Sequence, residues 1–150
     1  MDKINFISVV RDFGMYNRVI RNNQYVIGEK VTLETIDNTK KNLGLSKRYN
    51  TFLDNYDYSK PSWFVFCHED WEILESISAK IEPLNKNYIY GSFGARLIKG
   101  KKDLIREYKG HILERSKDDG TIYELGSKYK NISLVDVLDC QSLVVHSSLV

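Results

Sequence analysis

The sequence lacks most features that would assign it to a specialised class at sight. It has 2 cysteines in 150 residues, Cys67 and Cys140, and neither has a second Cys or a His nearby at metal-ligand spacing. A disulfide framework and a Cys-based zinc site are excluded, and both thiols read as reduced core residues in apolar, strand-like runs. No run approaches the ~18 apolar residues of a membrane-spanning helix. The start, Met1-Asp2-Lys3-Ile4-Asn5, lacks the cationic and apolar regions of a secretory signal. A cytoplasmic protein is expected, at most peripheral at the inner membrane surface. No low-complexity tract, internal repeat, Gly-x-Gly-x-x-Gly loop, Walker motif or Ser-His-Asp arrangement appears.

An excess of charge of one sign is lacking too, since 22 Lys and Arg face 20 Asp and Glu for a net +2. The densest basic groups, Lys40-Lys41 and Lys99-Gly100-Lys101-Lys102, have no interleaved aromatic residues. Nucleic acid is therefore not an expected partner; a phosphate-bearing ligand or an anionic membrane surface suits the pattern better. With 42% hydrophobic and 28% charged residues the chain lies in the globular range. Its length allows one domain with a sizeable core and leaves no room for two.

What is present is organised around Trp63 to Cys67, five uninterrupted apolar residues. Such a run suits a strand buried on both faces of a parallel or mixed sheet. His68-Glu69-Asp70 follows at once, and in an open α/β sheet ligands bind beyond the carboxyl ends of the strands. On an extended chain His68 and Asp70 would face one side and Glu69 the other. An imidazole and a carboxylate on one rim can hold a hard cation and its phosphates; Asp70 can equally be a helix N-cap.

Upstream, Ile4 to Val10 reads as a buried strand. Asp12 can cap a helix with Tyr16, Val19, Ile20 and Asn23 on one face. Val31 to Asp37 alternates as a second strand ending at Asp37-Asn38-Thr39. There a carboxylate can meet a base imide or ribose hydroxyls, or simply serve the turn. Ser46 can start a helix with Leu45, Tyr49, Phe52, Leu53 and Tyr56 as its core stripe. Lys47 and Arg48 in its first turn oppose the helix dipole, a penalty that a nearby anion would remove. Ile73, Leu74, Ile77, Ile81 and Leu84 form a further helical stripe.

Beyond residue 86 the texture changes to glycine-punctuated strands. Tyr88 to Ile98 is one, with glycines where a backbone or ligand comes close. Gly110 to Ser116 and Thr121 to Leu125 read as hairpin arms around Lys117-Asp118-Asp119-Gly120. Asp118-Asp119 reads as a solvated turn and His111 as a surface residue. Val135 to Val145 reads as a last strand.

Four features in order, Phe6 to Val10 running into Arg11-Asp12, Glu34 to Asn38, Gly44 to Asn50 and the His68-Glu69-Asp70 triplet, resemble the GT-A nucleotide-sugar glycosyltransferases. The triplet resembles the DXD position of bacterial family-2-like members. The resemblance covers about residues 4 to 146. It departs from the family in having His68 where many relatives have a first Asp, and in showing no Glu-Asp or Asp-type general-base motif before Val150. It implies an α/β, GT-A-like fold: a Rossmann-like nucleotide-binding half over 1–86, a mixed central sheet, a small β extension, and an apparently incomplete acceptor half over 87–150.

The implied activity is transfer of a sugar from a nucleotide diphosphate donor to a saccharide acceptor of a cell-surface polymer. Arg11, Asp12, Asp37, Asn38, Lys47, Arg48 and His68 would meet the nucleotide, and Asp70 would hold Mn2+ or Mg2+. Asp136 and Asp139 resemble acids near the sugar or acceptor subsite and are the candidates for catalysis. The alternatives are a non-catalytic or truncated nucleotide-binding domain, favoured by the missing base motif, and a nucleotidyltransferase, disfavoured because Arg11-Asp12-Phe13-Gly14 is poor in glycine.

Overall fold

The computed structural model describes residues 2–100, 104–116, 118–127 and 131–150. The chain is mixed α/β with one mixed and one antiparallel sheet. It forms two compact units: the residues up to Tyr90 together with Gln141–Val150, and Gly91–Cys140. Among the described residues no helix is long and apolar enough to cross a membrane. Lys101, Lys102 and Lys117, named above in the basic group and the hairpin turn, lie outside the described residues.

The first unit is built on β1 (Lys3–Val10), β2 (Val31–Asp37) and β3 (Ser62–Cys67). β1 lies between the other two and runs parallel to both. All of β3 and seven of the eight residues of β1 are buried, as expected for strands covered on both faces. Alternate side chains feed opposite layers. Ile4, Phe6, Val10, Trp63, Val65 and Cys67 pack with Tyr16, Val19 and Ile20, whereas Ile7, Phe64 and Phe66 pack under Tyr49, Phe52 and Tyr56. The latter three come from α3 (Leu45–Asp54) and the turn after it, so the expected aromatic stripe is core. The rings meet edge-on, Tyr56 with Phe64 at 4.8 Å and Phe52 with Phe64 at 5.8 Å, an arrangement favoured by the ring quadrupoles.

Two expected helices differ from the sequence reading. The helix after β1 is broken into α1 (Phe13–Tyr16), a π-helical turn (Asn17–Arg21) and α2 (Gln24–Ile27). The break falls at Asn22-Asn23. Asn23 leaves the helical path because its side chain caps α2, accepting from Tyr25 N, while its Nδ2 donates to Val19 O and Ile73 O. That last bond also explains the second difference. The helix expected from Ile73 to Leu84 shrinks to α4 (Ile77–Ile81), because the Ile73 carbonyl is taken by Asn23 across the core. Ser76 then caps α4 through Ala79 N, and Glu29 accepts from Ser78 N at 2.9 Å.

The last strand also needs correction. Val135 to Val145 is not one strand: β8 (Val137–Leu138) belongs to the antiparallel sheet, and β9 (Ser142–His146) pairs antiparallel with β3. Cys140 sits in the turn between them and is exposed rather than core; Cys67 is fully buried, and burial pushes its thiol up to about 12. The first sheet has the order β2-β1-β3-β9-β4, with β4 (Tyr90–Gly91) at its edge.

The second unit carries β5 (Phe93–Lys99), β6 (Leu104–Arg115), β7 (Ile122–Ser127) and β8 in the order β7-β6-β5-β8. The β6–β7 hairpin turns through Gly120 at φ +72°, closed by Ser116 N donating to Thr121 O. At Gly94 a Cβ would stand 2.6 Å from the Val137 carbonyl. Only glycine lets β8 lie so close, which is the backbone approach that the glycine pattern predicts.

Candidate functional site

Because β1, β2 and β3 are parallel, their carboxyl ends share one edge, with Val10 opposite Asp37. The order β2-β1-β3 means the chain leaves β1 to one side for β2 and crosses back to the other for β3. A switch of this kind opens a crevice between the loops that follow β1 and β3. Those loops carry Arg11-Asp12 and His68-Glu69-Asp70.

Glu69 joins them. Its Oε2 accepts hydrogen bonds from the backbone N–H groups of Arg11 and of Asp12, the latter at 2.9 Å. The expectation that Glu69 faces away from the site is thereby corrected. β3 ends at Cys67 and the triplet lies in a turn closed by Trp71 N donating to His68 O, so the two-residue alternation of a strand does not apply. No sequence spacing could reveal a contact between residues 58 apart.

His68 is half-buried. Its backbone N–H donates to Gln141 O at 3.0 Å, while Nε2 is buried and has no partner among the described residues. An orphaned polar atom at the rim of a crevice calls for a ligand, a water or a proton-dependent role. Asp70 is exposed and caps no helix. Asp12 does cap one, accepting from Met15 N at 3.0 Å, so the capping reading of this residue holds.

The β2 end is organised by Asn38, whose side chain is almost fully buried. It donates to Leu43 O and accepts from Leu43 N and from Arg48 Nε at 2.9 Å. Arg48 Nη2 reaches Lys41 O as well, so this guanidinium clamps the 38–43 loop to the first turn of α3. Lys47 projects beside it into solvent. Asp37 is exposed, and its Oδ1 accepts from Thr39 N at 2.8 Å and Thr39 Oγ1 at 2.7 Å. These bonds hold its carboxyl below the ordinary value against the opposing effect of desolvation, with the Lys40 and Arg48 charges contributing less. The turn role of Asp37 is thus occupied by one oxygen.

The structure brings Arg11, Asp12, Asp37, Asn38, Lys47, Arg48, His68 and Asp70 into the first unit, and puts Asp136 and Asp139 in the second. Asp136 Oδ2 accepts from Leu97 N at 2.7 Å, and its own N–H donates to Ala95 O, so it serves the β5–β8 junction. Among the described residues no group of three or more His, Cys, Asp and Glu side chains could encircle a metal. A magnesium or manganese ion does not need one, because such ions keep one or two protein carboxylates and take the rest of their shell from water and phosphate. Exposed Asp70 fits that limited part.

The fold also assembles a Ser-His-Asp arrangement that the sequence reading excluded. His146 Nε2 lies 3.1 Å from Asp2 Oδ2, and its Nδ1 lies 2.8 Å from Ser148 Oγ. Yet Nδ1 also accepts the backbone N–H of Ser148, so its lone pair caps the final helical turn. Lys86, 2.6 Å from Asp2, leads in holding that carboxyl below its ordinary value, with His146 adding to the effect against burial. The cluster ties the N-terminal strand to β9 and is not arranged as a nucleophile with its base.

No family model matches this sequence, and no curated protein matches it.

Proposed function

We propose that the first unit binds a nucleotide diphosphate sugar at the carboxyl edge of β1, β2 and β3, and that the protein is a glycosyltransferase acting on a saccharide of a surface polymer. One observation carries this reading: the parallel β2-β1-β3 order gathers Arg11-Asp12, Asp37-Asn38 and His68-Glu69-Asp70 at one edge, and Glu69 links the first and third of these loops. The motif order in the sequence and the unpartnered Nε2 of His68 agree with it.

In this reading Asp37 keeps an oxygen for the base or ribose. Arg48 and Asn38 hold the neighbouring loop in shape, and exposed Lys47 and Arg11 offer cations to the diphosphate. Asp70 would hold the divalent ion, which when bound neutralises charge building up on the leaving diphosphate. A unit charge pair ~4 Å apart is worth about 4 kcal/mol at an effective dielectric near 20, enough to matter for a leaving group. Lys and Arg side chains add to that field without proton transfer.

The test is a thermal-shift screen of uridine, guanosine, thymidine and adenosine diphosphates and their hexose conjugates, with and without manganese. A ligand at 100 times its dissociation constant raises stability by about 2.7 kcal/mol, well within detection. Stabilisation by one nucleotide family is the expected result; none with any nucleotide defeats the proposal. A nucleotide that stabilises but whose sugar is never released or transferred would select the binding-only alternative.

A further inference from the structure

The two loops that flank the crevice of the first unit are fastened to each other. Arg11 and Asp12 follow β1, Glu69 follows β3, and Glu69 Oε2 accepts the backbone N–H of Arg11 and that of Asp12, the latter at 2.9 Å. Both amides lie before the first turn of α1. Successive backbone N–H groups turned toward one point make a concavity that takes an anionic oxygen of any origin. Here the oxygen comes from the chain itself. The carboxylate spans 57 and 58 positions of sequence, so it stands in the space that a ligand lying between the two loops would need.

The surroundings suit an occupant of higher charge. Arg11 is exposed, and among the described residues its guanidinium forms no ion pair, with Glu69 or with any other carboxylate. His68, next to Glu69, has its buried Nε2 without a partner among the described residues. Of the other acids on these loops, Asp12 is committed to capping α1 through Met15 N, while Asp70 and Glu72 are exposed. A phosphate group presents several anionic oxygens, so it can engage both amides and the guanidinium together, where the one Glu69 oxygen engages the amides alone. Both Glu69 bonds are exposed, and water can stand in for the carboxylate while it leaves.

We propose that Glu69 is a built-in competitor for the ligand's phosphate. In the free chain its carboxylate occupies the Arg11 and Asp12 amides, and a phosphate oxygen takes its place on binding. This exchange would regulate the site proposed above, and it rests on that reading only in taking the phosphate to be a nucleotide's. A brace that shapes the crevice lowers affinity when it is removed, whereas a competitor raises it. A fastening closed about nine-tenths of the time raises the apparent Kd about tenfold, and removing the carboxylate recovers that factor. The same removal weakens the ligand-free fold, so affinity and stability move in opposite directions.

The test is calorimetric titration of the full chain, with magnesium present, by uridine, guanosine, thymidine and adenosine diphosphates, by pyrophosphate and by uridine. Glu69→Ala should bind pyrophosphate and the preferred diphosphate about tenfold more tightly than the native chain, a gain of about 1.4 kcal/mol. Its affinity for uridine should not change. Glu69→Gln, which keeps a weaker acceptor oxygen, should gain less, and it carries the same test should Glu69→Ala fail to fold. Glu72→Gln removes the same charge from the same loop without touching the amides, and it should stay within about twofold of native. A gain there as large as that of Glu69→Ala assigns the effect to net charge and overturns the proposal. In amide NMR spectra of the native chain, saturating diphosphate or pyrophosphate should shift the Arg11 and Asp12 signals, and unmoved signals also overturn it. Equal or weaker diphosphate binding by folded Glu69→Ala overturns the competitor and leaves the nucleotide reading standing. Tighter pyrophosphate binding by Glu69→Ala, with no nucleotide bound by either chain, upholds the competitor and removes the glycosyltransferase reading. No binding of any phosphate by either chain overturns both.

Discussion

Replacing Glu69 by alanine removes the one acceptor shared by the Arg11 and Asp12 amides. A hydrogen bond to a charged group is worth about 1.5–3 kcal/mol where water is excluded. Here both bonds are exposed and Glu69 is half-buried, so water can take over the two amides, and a net loss of about 1–1.5 kcal/mol for the pair is expected. For a chain of this size that corresponds to a fall in Tm of roughly 3–5 °C. Urea denaturation measures the free energy, and amide hydrogen exchange measures the cause, because protection at Arg11 and Asp12 should drop far more than in the core of β1. Glu69→Gln, which keeps an acceptor oxygen but not the charge, should fall between the two. If Glu69→Ala matches the native chain in stability and leaves exchange at Arg11 and Asp12 unchanged, then the carboxylate does not hold the two loops together, and the crevice has lost its hinge point.

Other expectations are open to equally direct checks. Asn38→Ala takes the buried donor from the Leu43 carbonyl and one acceptor from Arg48, while the Leu43 amide keeps its bond to Lys41 O, so a loss of about 1–2 kcal/mol in urea denaturation is expected, with nucleotide affinity falling as the 38–43 loop loosens; stability within about 0.5 kcal/mol of native would contradict this. Phe64→Ala, at a fully buried ring in contact with Phe52 and Tyr56, should cost about 3–5 kcal/mol. Asp37→Ala should abolish the thermal shift from the preferred nucleotide while leaving the free protein folded, since the residue is exposed at a strand end; unchanged affinity would remove Asp37 from the site. At Glu29 burial works to raise the carboxyl, but the bonds from Ser76 and Ser78 prevail and hold it below its ordinary value. A carboxyl lowered by folding contributes stability that is present above its unfolded value and lost as pH falls through the folded one. Glu29→Gln should therefore be less stable than native at pH 7, with the gap closing as pH falls below the ordinary carboxylate range and through the lowered value; a gap that persists in acid would point to packing instead.

The layers of the first unit were legible because hydrophobic pattern reports burial directly. Trp63 to Cys67 and Ile4 to Val10 read as strands covered on both faces, and the Tyr49, Phe52, Tyr56 stripe as the core face of a helix. Long-range polar bonds are what the pattern does not report. Asn23 breaks one expected helix and shortens another through a single side chain that reaches Ile73, 50 residues away. Val135 to Val145 shows one unbroken tendency although its two ends belong to different sheets, since the run contains no proline or glycine to mark the turn at Cys140. At the site, the residues expected at the strand ends do lie there. The role of Glu69 as the tie between loops, and of Arg48 as a clamp rather than an idle first-turn cation, depends on tertiary contacts alone. The close approach of β8 to β5 had a signal in the glycine at position 94.

The central claim is that Asp70 and a bound nucleotide share one divalent ion. Metal affinity requires an ionised ligand, and one carboxylate with no ligand cluster around it among the described residues should bind the ion weakly in the free protein. Nucleotide and metal should then each raise the affinity for the other by the same factor. Asp70→Asn keeps size and hydrogen bonding but removes the charge, and at an exposed site it should leave stability without ligand within about 1 kcal/mol of native. The decisive measurement is calorimetric titration with nucleotide diphosphate at zero and saturating manganese, for both proteins. The account predicts strong coupling in the native chain and none in Asp70→Asn; absence of coupling in the native chain, or its full retention in the variant, would contradict it.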